Sequence, residues 1–188
     1  AGTEIEPTFK PVSHVEWFAD EVVQLLAEGM NNHDALVWVQ YPAFGRALAK
    51  ASKRPFFHRQ GVSLTHGSIE AYEGADSVVV STKSNYMGRN LQDRWSRNLI
   101  VGVPGKADTQ EQLIGRTHRT GQKADTVEVT YFLGSVESAE AAERARTRAE
   151  IDKRLGRNRA SKLLVCDWLV PDITQLIAKR ANPRWRKA

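Results

Sequence analysis

The sequence predicts an α/β chain: a three-layer lobe built on a mostly parallel sheet, with a helical C-terminal extension. Three observations predict it. Short apolar runs without polar alternation, Ala35-Leu36-Val37-Trp38-Val39, Ser77-Val78-Val79-Val80-Ser81 and Leu99-Ile100-Val101, have the composition of strands buried on both faces. Segments of helical period separate them, and strands alternating with helices argue for a parallel sheet covered on both sides. Beyond Gly134 the strands give way to a stretch rich in Ala, Glu and Arg.

The elements follow in order. Residues 1–12 contain Pro7 and Pro11 and read as an extended lead-in. Ser13-His14-Val15-Glu16 has the spacing of a capping box, in which hydroxyl and carboxylate satisfy free amides at a helix start. Val15, Phe18, Ala19, Val22, Leu25 and Leu26 then recur at helical spacing, and Gly29 is the expected stop. Residues 44–53 form a helix ending before Pro55. Val62-Ser63-Leu64 reads as a weaker strand, with His66-Gly67-Ser68 as the turn after it. Residues 109–118 are expected to be helical. Residues 126–133 place Val127, Val129, Tyr131 and Leu133 on one face, so they form a strand by period.

Ser138 is expected to cap a long helix reaching about residue 155, supported by Glu140 with Arg144 and Glu150 with Arg154, and broken by Gly156. Residues 161–169 and 172–180 are expected to form two further short helices. The expected organisation is therefore a lead-in at 1–12, a lobe at 13–134 and a basic helical extension at 135–188.

Composition narrows the function. The 188 residues are 41% hydrophobic and suit one compact unit with an appendage. No run of about eighteen apolar residues exists, so no membrane span and no membrane partner are expected. Residues 1–10 lack the apolar core of a signal peptide. The single cysteine, Cys166, has no partner for an internal disulfide and favours a reducing, cytoplasmic compartment. Neither Cys-x-x-Cys nor His-x-x-x-His occurs, so no metal site is expected. The net charge of +5 is unevenly placed: residues 137–188 hold thirteen Lys/Arg against seven Asp/Glu, and the first 136 hold fourteen against fifteen. A clustered basic excess is the electrostatic footprint of a polyanion binder, or a solvated helical surface.

The segment richest in chemistry is Gln112-Leu113-Ile114-Gly115-Arg116-Thr117-His118-Arg119-Thr120-Gly121-Gln122. On a helix, Arg116 and Arg119 would leave one face together. Guanidinium groups are planar, permanently charged and matched to bidentate phosphate contact. A phosphoryl-transfer transition state spreads negative charge over its equatorial oxygens, which an inserted arginine stabilises. Gly115 and Gly121 allow close approach or a tight turn. Two arginines on a helix are also compatible with a plain solvated face.

This segment resembles motif VI of superfamily-two helicases, in the Gln-x-x-Gly-Arg-x-x-Arg-x-Gly-Gln form of chromatin-remodeller-like translocases. Upstream, Ser81-Thr82-Lys83-Ser84-Asn85-Tyr86-Met87-Gly88-Arg89-Asn90-Leu91 resembles motif V of that family. Ala35-Leu36-Val37-Trp38-Val39-Gln40-Tyr41 resembles motif IV, and Leu64-Thr65-His66-Gly67-Ser68 is similar to the strand-turn that follows it. The style of residues 115–125 looks most like phage or prophage helicases. The resemblance implies a C-terminal RecA-like lobe, the second motor lobe of an ATP-dependent DNA helicase or translocase in a bacterial or phage-infected cell.

On that resemblance Arg116 and Arg119 are arginine fingers that reach the γ-phosphate. Gly88 and Asn90 lie near ribose and phosphates, and Gln112 links nucleotide state to the lobe interface. Gly67, Ser68, Thr82 and Lys83 contact the nucleic-acid backbone. The chain also departs from the family. Asn85 and Tyr86 replace motif V glycines, and Asn85 is the residue able to take a left-handed conformation there. The stretch between Gly67 and Val78 is so short that a helix is shortened or lost. No Gly-x-x-x-x-Gly-Lys-Ser/Thr occurs, nor an Asp-Glu pair at a strand end that could hold Mg²⁺. ATP with Mg²⁺ would thus be held mainly by an N-terminal helicase lobe, in cis or in trans, with DNA as the second partner and RNA less favoured. The alternative is a non-catalytic nucleic-acid-binding or helicase-docking module derived from such a lobe.

Overall fold

A computed structural model describes residues 19–31, 33–74, 76–85, 88–156 and 162–164. The Ser13 box, Tyr86, Cys166 and the helix at 172–180 lie outside the described residues. So does most of the helix expected at 161–169, of which only the 3-10 turn Lys162–Leu164 is described.

Five strands make one parallel sheet: β1 (Leu36–Val39), β2 (Phe56–Phe57), β5 (Val78–Ser81), β6 (Arg97–Ile100) and β7 (Glu128–Tyr131), in the order β2-β5-β1-β6-β7. The central register pairs Leu36 with both Val78 and Asn98, and Trp38 with both Val80 and Ile100. β1 and β5 are buried along their whole length, as their unbroken apolar runs require. Successive side chains point to opposite faces of a strand. Leu36, Trp38, Val78 and Val80 thus enter one core with Leu91, Trp95 and Leu113, while Val37, Val39 and Val79 enter another. That second core is closed by α1 (Asp20–Asn31) and α2 (Pro42–Ser52), and the first by α4 (Ala107–Ile114) and α5 (Val136–Arg154). The result is the three-layer α/β architecture expected of a RecA-like lobe.

Several local expectations are corrected. Gly29 does not end α1, which continues to Asn31. A mid-helix glycine costs roughly 1 kcal/mol, and the buried stripe Val23, Leu26, Ala27 and Met30 outweighs it. Val62-Ser63 is not a strand of the main sheet. It is β3 (Val62–Ser63) of a small antiparallel ribbon with β4 (Gly67–Ser68), and Leu64 projects fully exposed at its tip. The missing parallel strand is β2, only two residues long and directly after Pro55, too short to carry a period. No helix occupies 69–74; Ile69, wholly buried, anchors tight turns in its place. Asn85 is helical, the last residue of the single turn α3 (Thr82–Asn85), and not left-handed.

The cap of α5 is Ser135, not Ser138. The two serines form a reciprocal box, Ser138 N–H to Ser135 Oγ at 3.2 Å and Ser135 N–H to Ser138 Oγ at 3.1 Å. Along α5, Arg144 pairs with Glu140 at 3.3 Å as expected, but Glu150 pairs with Arg146 at 3.6 Å. Gly156, at φ 66°, follows the helix end.

Candidate nucleotide and nucleic-acid site

α4 stops at Ile114, so Arg116 and Arg119 do not share a helical face. They lie in consecutive tight turns. Arg116 N–H bonds to Leu113 O at 3.0 Å, Thr117 N–H to Ile114 O at 3.1 Å, and Gln122 N–H to Arg119 O at 3.0 Å. Gly115 closes the helix in right-handed geometry, and Gly121 takes φ 97°, which other residues avoid.

A buried relay fixes this turn. Trp38 Nε1 donates to Asn98 Oδ1 at 3.0 Å, Asn98 Nδ2 donates to Thr117 Oγ1 at 2.7 Å, and Thr117 Oγ1 donates to Ile114 O at 3.1 Å. Trp38 and Thr117 are fully buried and Asn98 nearly so. Gln122 adds a second bracket, its Nε2 donating to Trp95 O and to Thr117 O, both at 3.0 Å. Since Asn98 and Trp95 mark the start of β6, the arginine turn sits toward the amino ends of the strands. α4 has carried the chain there from the carboxyl end of β6.

The segment after β5 meets the same turn. Arg116 donates from Nε to Gln112 O at 3.0 Å and from Nη1 to Arg89 O at 3.1 Å. Arg119 Nη1 donates to Asn90 Oδ1 at 2.5 Å, Leu91 N–H to Arg116 O at 3.3 Å, and Gln92 Nε2 to Thr120 O at 3.4 Å. Arg116, Arg119, Asn90 and Gln112 are thereby brought together. Burial and then the Arg119 charge make the Arg116 cation less favourable than usual, and neither arginine has an ion pair among the described residues. Among the described residues Arg116 Nη2 has no acceptor, which leaves N–H donors for a ligand. Gln112 Oε1 is buried without a partner among the described residues. Beside Arg119 a groove of about 720 Å³ runs along His118, Thr120, Gln122 and Asp125.

Gly88 lies a little upstream, exposed, at φ 74° and with open space where a Cβ would stand. The remaining candidates lie elsewhere. Thr82 and Lys83 leave the carboxyl end of β5; Lys83 is exposed, whereas the Thr82 hydroxyl is buried and unpartnered among the described residues. Gly67, at φ 67°, and Ser68 are on the β3–β4 ribbon. Ser68 Oγ donates to Glu70, whose carboxylate also pairs with Arg89. Burial would raise Glu70, but the hydrogen bonds from Ser68, its own amide and Arg89, with the Arg89 charge, hold it below the ordinary carboxylate value.

Sequence reasoning missed Arg89, whose guanidinium lies against Gly61 where a Cβ would stand. It also missed the bracketing role of Asn85, whose Nδ2 lies 3.0–3.2 Å from the carbonyls of Ser81, His58 and Phe57. The odd Arg and Asn inside a phosphate-loop pattern were the available signals. At the carboxyl ends of β1, β6 and β7 a separate groove of about 550 Å³ is lined by Gln40, Tyr41, Gly102 and Phe132, remote from the arginine turn. Among the described residues, no group of three His, Cys, Asp or Glu could hold a metal ion, and no helix is long and apolar enough to cross a membrane.

No protein-family model matches the chain, and no curated protein does. A solved structure described as the C-terminal part of the Fun30 ATPase domain is similar to it, at 18% identity and a TM-score of 0.46, over 82% of this chain and 46% of that one. The chain thus spans less than half of that structure's length. The α/β assignment stands on the chain's own sheet order and register.

Proposed function

We propose that the chain is the second motor lobe of an ATP-dependent DNA helicase or translocase. Arg116 and Arg119 supply arginine fingers for ATP hydrolysis, and the carboxyl edge of the sheet, with Thr82 and Lys83, takes the nucleic-acid backbone. One observation carries the reading. Two guanidinium groups with no carboxylate partner among the described residues sit side by side, each tied to the Arg89-Asn90 segment. Two unneutralised cations, Arg116 half-buried and Arg119 exposed, are an anion site in waiting, since a bound phosphate relieves their repulsion.

Their chemistry follows from their placement. A first lobe would hold ATP and Mg²⁺ and close over the groove beside Arg119. The fingers would then meet the γ-phosphate only in the closed form and act more on the transition state than on bound ATP. Gly88 and Asn90 would lie along the nucleotide, and Gln112 would sense closure. Arg89 and Asn90, which follow Thr82 and Lys83 in sequence and bond to Arg116 and Arg119, would couple the two.

The test is substitution in a two-lobe enzyme with saturating DNA. Arg116→Ala and Arg119→Ala should each lower ATP turnover by about 10³-fold or more, with DNA affinity and melting temperature near wild type. Lysine should rescue poorly, because a point charge lacks the fork geometry. Near wild-type turnover in both alanine variants would remove the motor reading and leave the non-catalytic module.

A further inference from the structure

The Thr117 relay and the Arg89-Asn90 segment hold the arginine turn from two directions. A third hold comes from the C-terminal extension. Glu111, one helical turn before Gly115, accepts two backbone hydrogen bonds from residues 52 and 53 positions further along the chain. Leu163 N–H donates to Oε1 at 2.7 Å and Leu164 N–H to Oε2 at 3.1 Å. The turn that supplies them, Lys162–Leu164, packs against both α4 and α5, and the Leu164 side chain is buried with Ile114, Ala145 and Ala149. We propose that Glu111 is a positioning residue: its carboxylate clamps the C-terminal extension onto the end of α4 and so holds the turn that presents Arg116 and Arg119.

The clamp grips the part of α4 from which that turn starts. Gly115 N–H bonds to Glu111 O at 2.9 Å, so the Glu111 backbone closes the helix end while its side chain holds the extension. Ile114, on which Leu164 packs, offers the carbonyl to which Thr117 N–H and His118 N–H bond, at 3.1 and 2.9 Å. A displacement of the 162–164 turn therefore reaches Ile114 through packing and Gly115 through Glu111 itself. Close-packed interiors transmit such strain.

A carboxylate is suited to this task. Its hydrogen bonds to amides are roughly twice as strong as those between neutral groups. Burial raises the Glu111 carboxyl above its ordinary value, against the pull of the two amides and the His118 charge, and Asp108 adds to the rise. Without the two amides, burial would favour the neutral form still further. The role of the two arginines rests on the motor reading above; the clamp does not.

The experiment is amide hydrogen exchange of the full chain, wild type against Glu111→Gln, with the amides of β1 and β5 as internal standard. Glutamine keeps the size but can accept from only one of the two amides, because its NH2 group donates. Exchange at Gly115, Thr117 and His118, as well as at Leu163 and Leu164, should accelerate by about tenfold or more, as expected when a hydrogen bond to a charged group is lost. No acceleration at residues 115–118, whether or not Leu163 and Leu164 respond, reduces Glu111 to a local cap and overturns the clamp. Uniform acceleration, β1 and β5 included, makes it a general stability residue and also overturns it. In a two-lobe enzyme Glu111→Gln should lower kcat severalfold and leave the KM for ATP and DNA affinity near wild type, with Arg116→Ala measured alongside. Unchanged kcat in Glu111→Gln, where Arg116→Ala abolishes turnover, overturns the positioning role and leaves the motor reading standing. Full turnover in Arg116→Ala removes the motor reading, and exchange at residues 115–118 then decides the clamp on its own.

Discussion

At the scale of single residues, the arginines are only as useful as the turn that aims them, and that turn is aimed by Thr117. Its hydroxyl is both acceptor from Asn98 and donor to Ile114 O, and it is fully buried. Thr117→Val keeps the shape but leaves the Asn98 amide with a buried, unsatisfied donor, which costs about 1–3 kcal/mol. In a two-lobe enzyme this variant should lower kcat more than it changes the KM for ATP, with Thr117→Ser restoring both. Equal kcat in Thr117→Val and wild type, with stability lost, would reduce the relay to a packing role. None of this is visible in the sequence. Trp38, Asn98 and Thr117 are scattered along the chain, and a lone Asn in an apolar strand has no local signature. The Gly-Arg-x-x-Arg-x-Gly-Gln spacing was legible because its residues are neighbours in sequence.

At the scale of elements, legibility followed length and period. β1, β5, β7 and α2 have enough residues to show a buried run or an alternation, and they stand close to where the pattern put them. β2 has two residues and no period. α4 was read too long, because the turns after Ile114 keep helix-like i+3 and i+4 hydrogen bonds while departing from the helix. The ribbon β3–β4 depends on a side-chain tether that no local pattern encodes. Ser68 and Arg89 both bond to Glu70, and Arg89 in turn covers Gly61. The tether is titratable. Glu70 is held below its ordinary value of 4.5, so its charge contributes stability above that pH and loses it as pH falls through the lower folded value. Thermal melts from pH 5.5 down to pH 3 should fall more steeply for wild type than for Glu70→Gln, which cannot titrate. Parallel curves would show that the Glu70–Arg89 pair is fully screened at the surface.

At the scale of the whole molecule, two candidate regions occupy opposite ends of one sheet. The arginine turn lies toward the amino ends of β6 and β7, while Thr82 and Lys83 follow the carboxyl end of β5. Residues 81–85 leave the carboxyl end of β5, and Arg89 and Asn90 bond to Arg116 and Arg119. The sequence has no Gly-x-x-x-x-Gly-Lys-Ser/Thr loop, and its adjacent Asp-Glu pair, Asp20-Glu21, opens α1 and does not end a strand as a Mg²⁺-holding pair would. Arginine fingers supply about 10³–10⁵ of rate in phosphoryl-transfer enzymes, and only when metal and phosphates are already positioned. The 188-residue chain alone should therefore show no ATP turnover above the uncatalysed background, with or without DNA. The decisive measurement compares purified wild type with Arg116→Ala under identical conditions. Turnover present in wild type and abolished in the variant would mean that this chain builds a complete hydrolytic site, and the two-lobe account would fall. Turnover equal in both would come from a contaminant and leave the account intact. Adding a separately purified first lobe should then switch on DNA-stimulated hydrolysis with wild type and not with Arg116→Ala, because on the proposed reading the arginines would act only when a second surface closes on them.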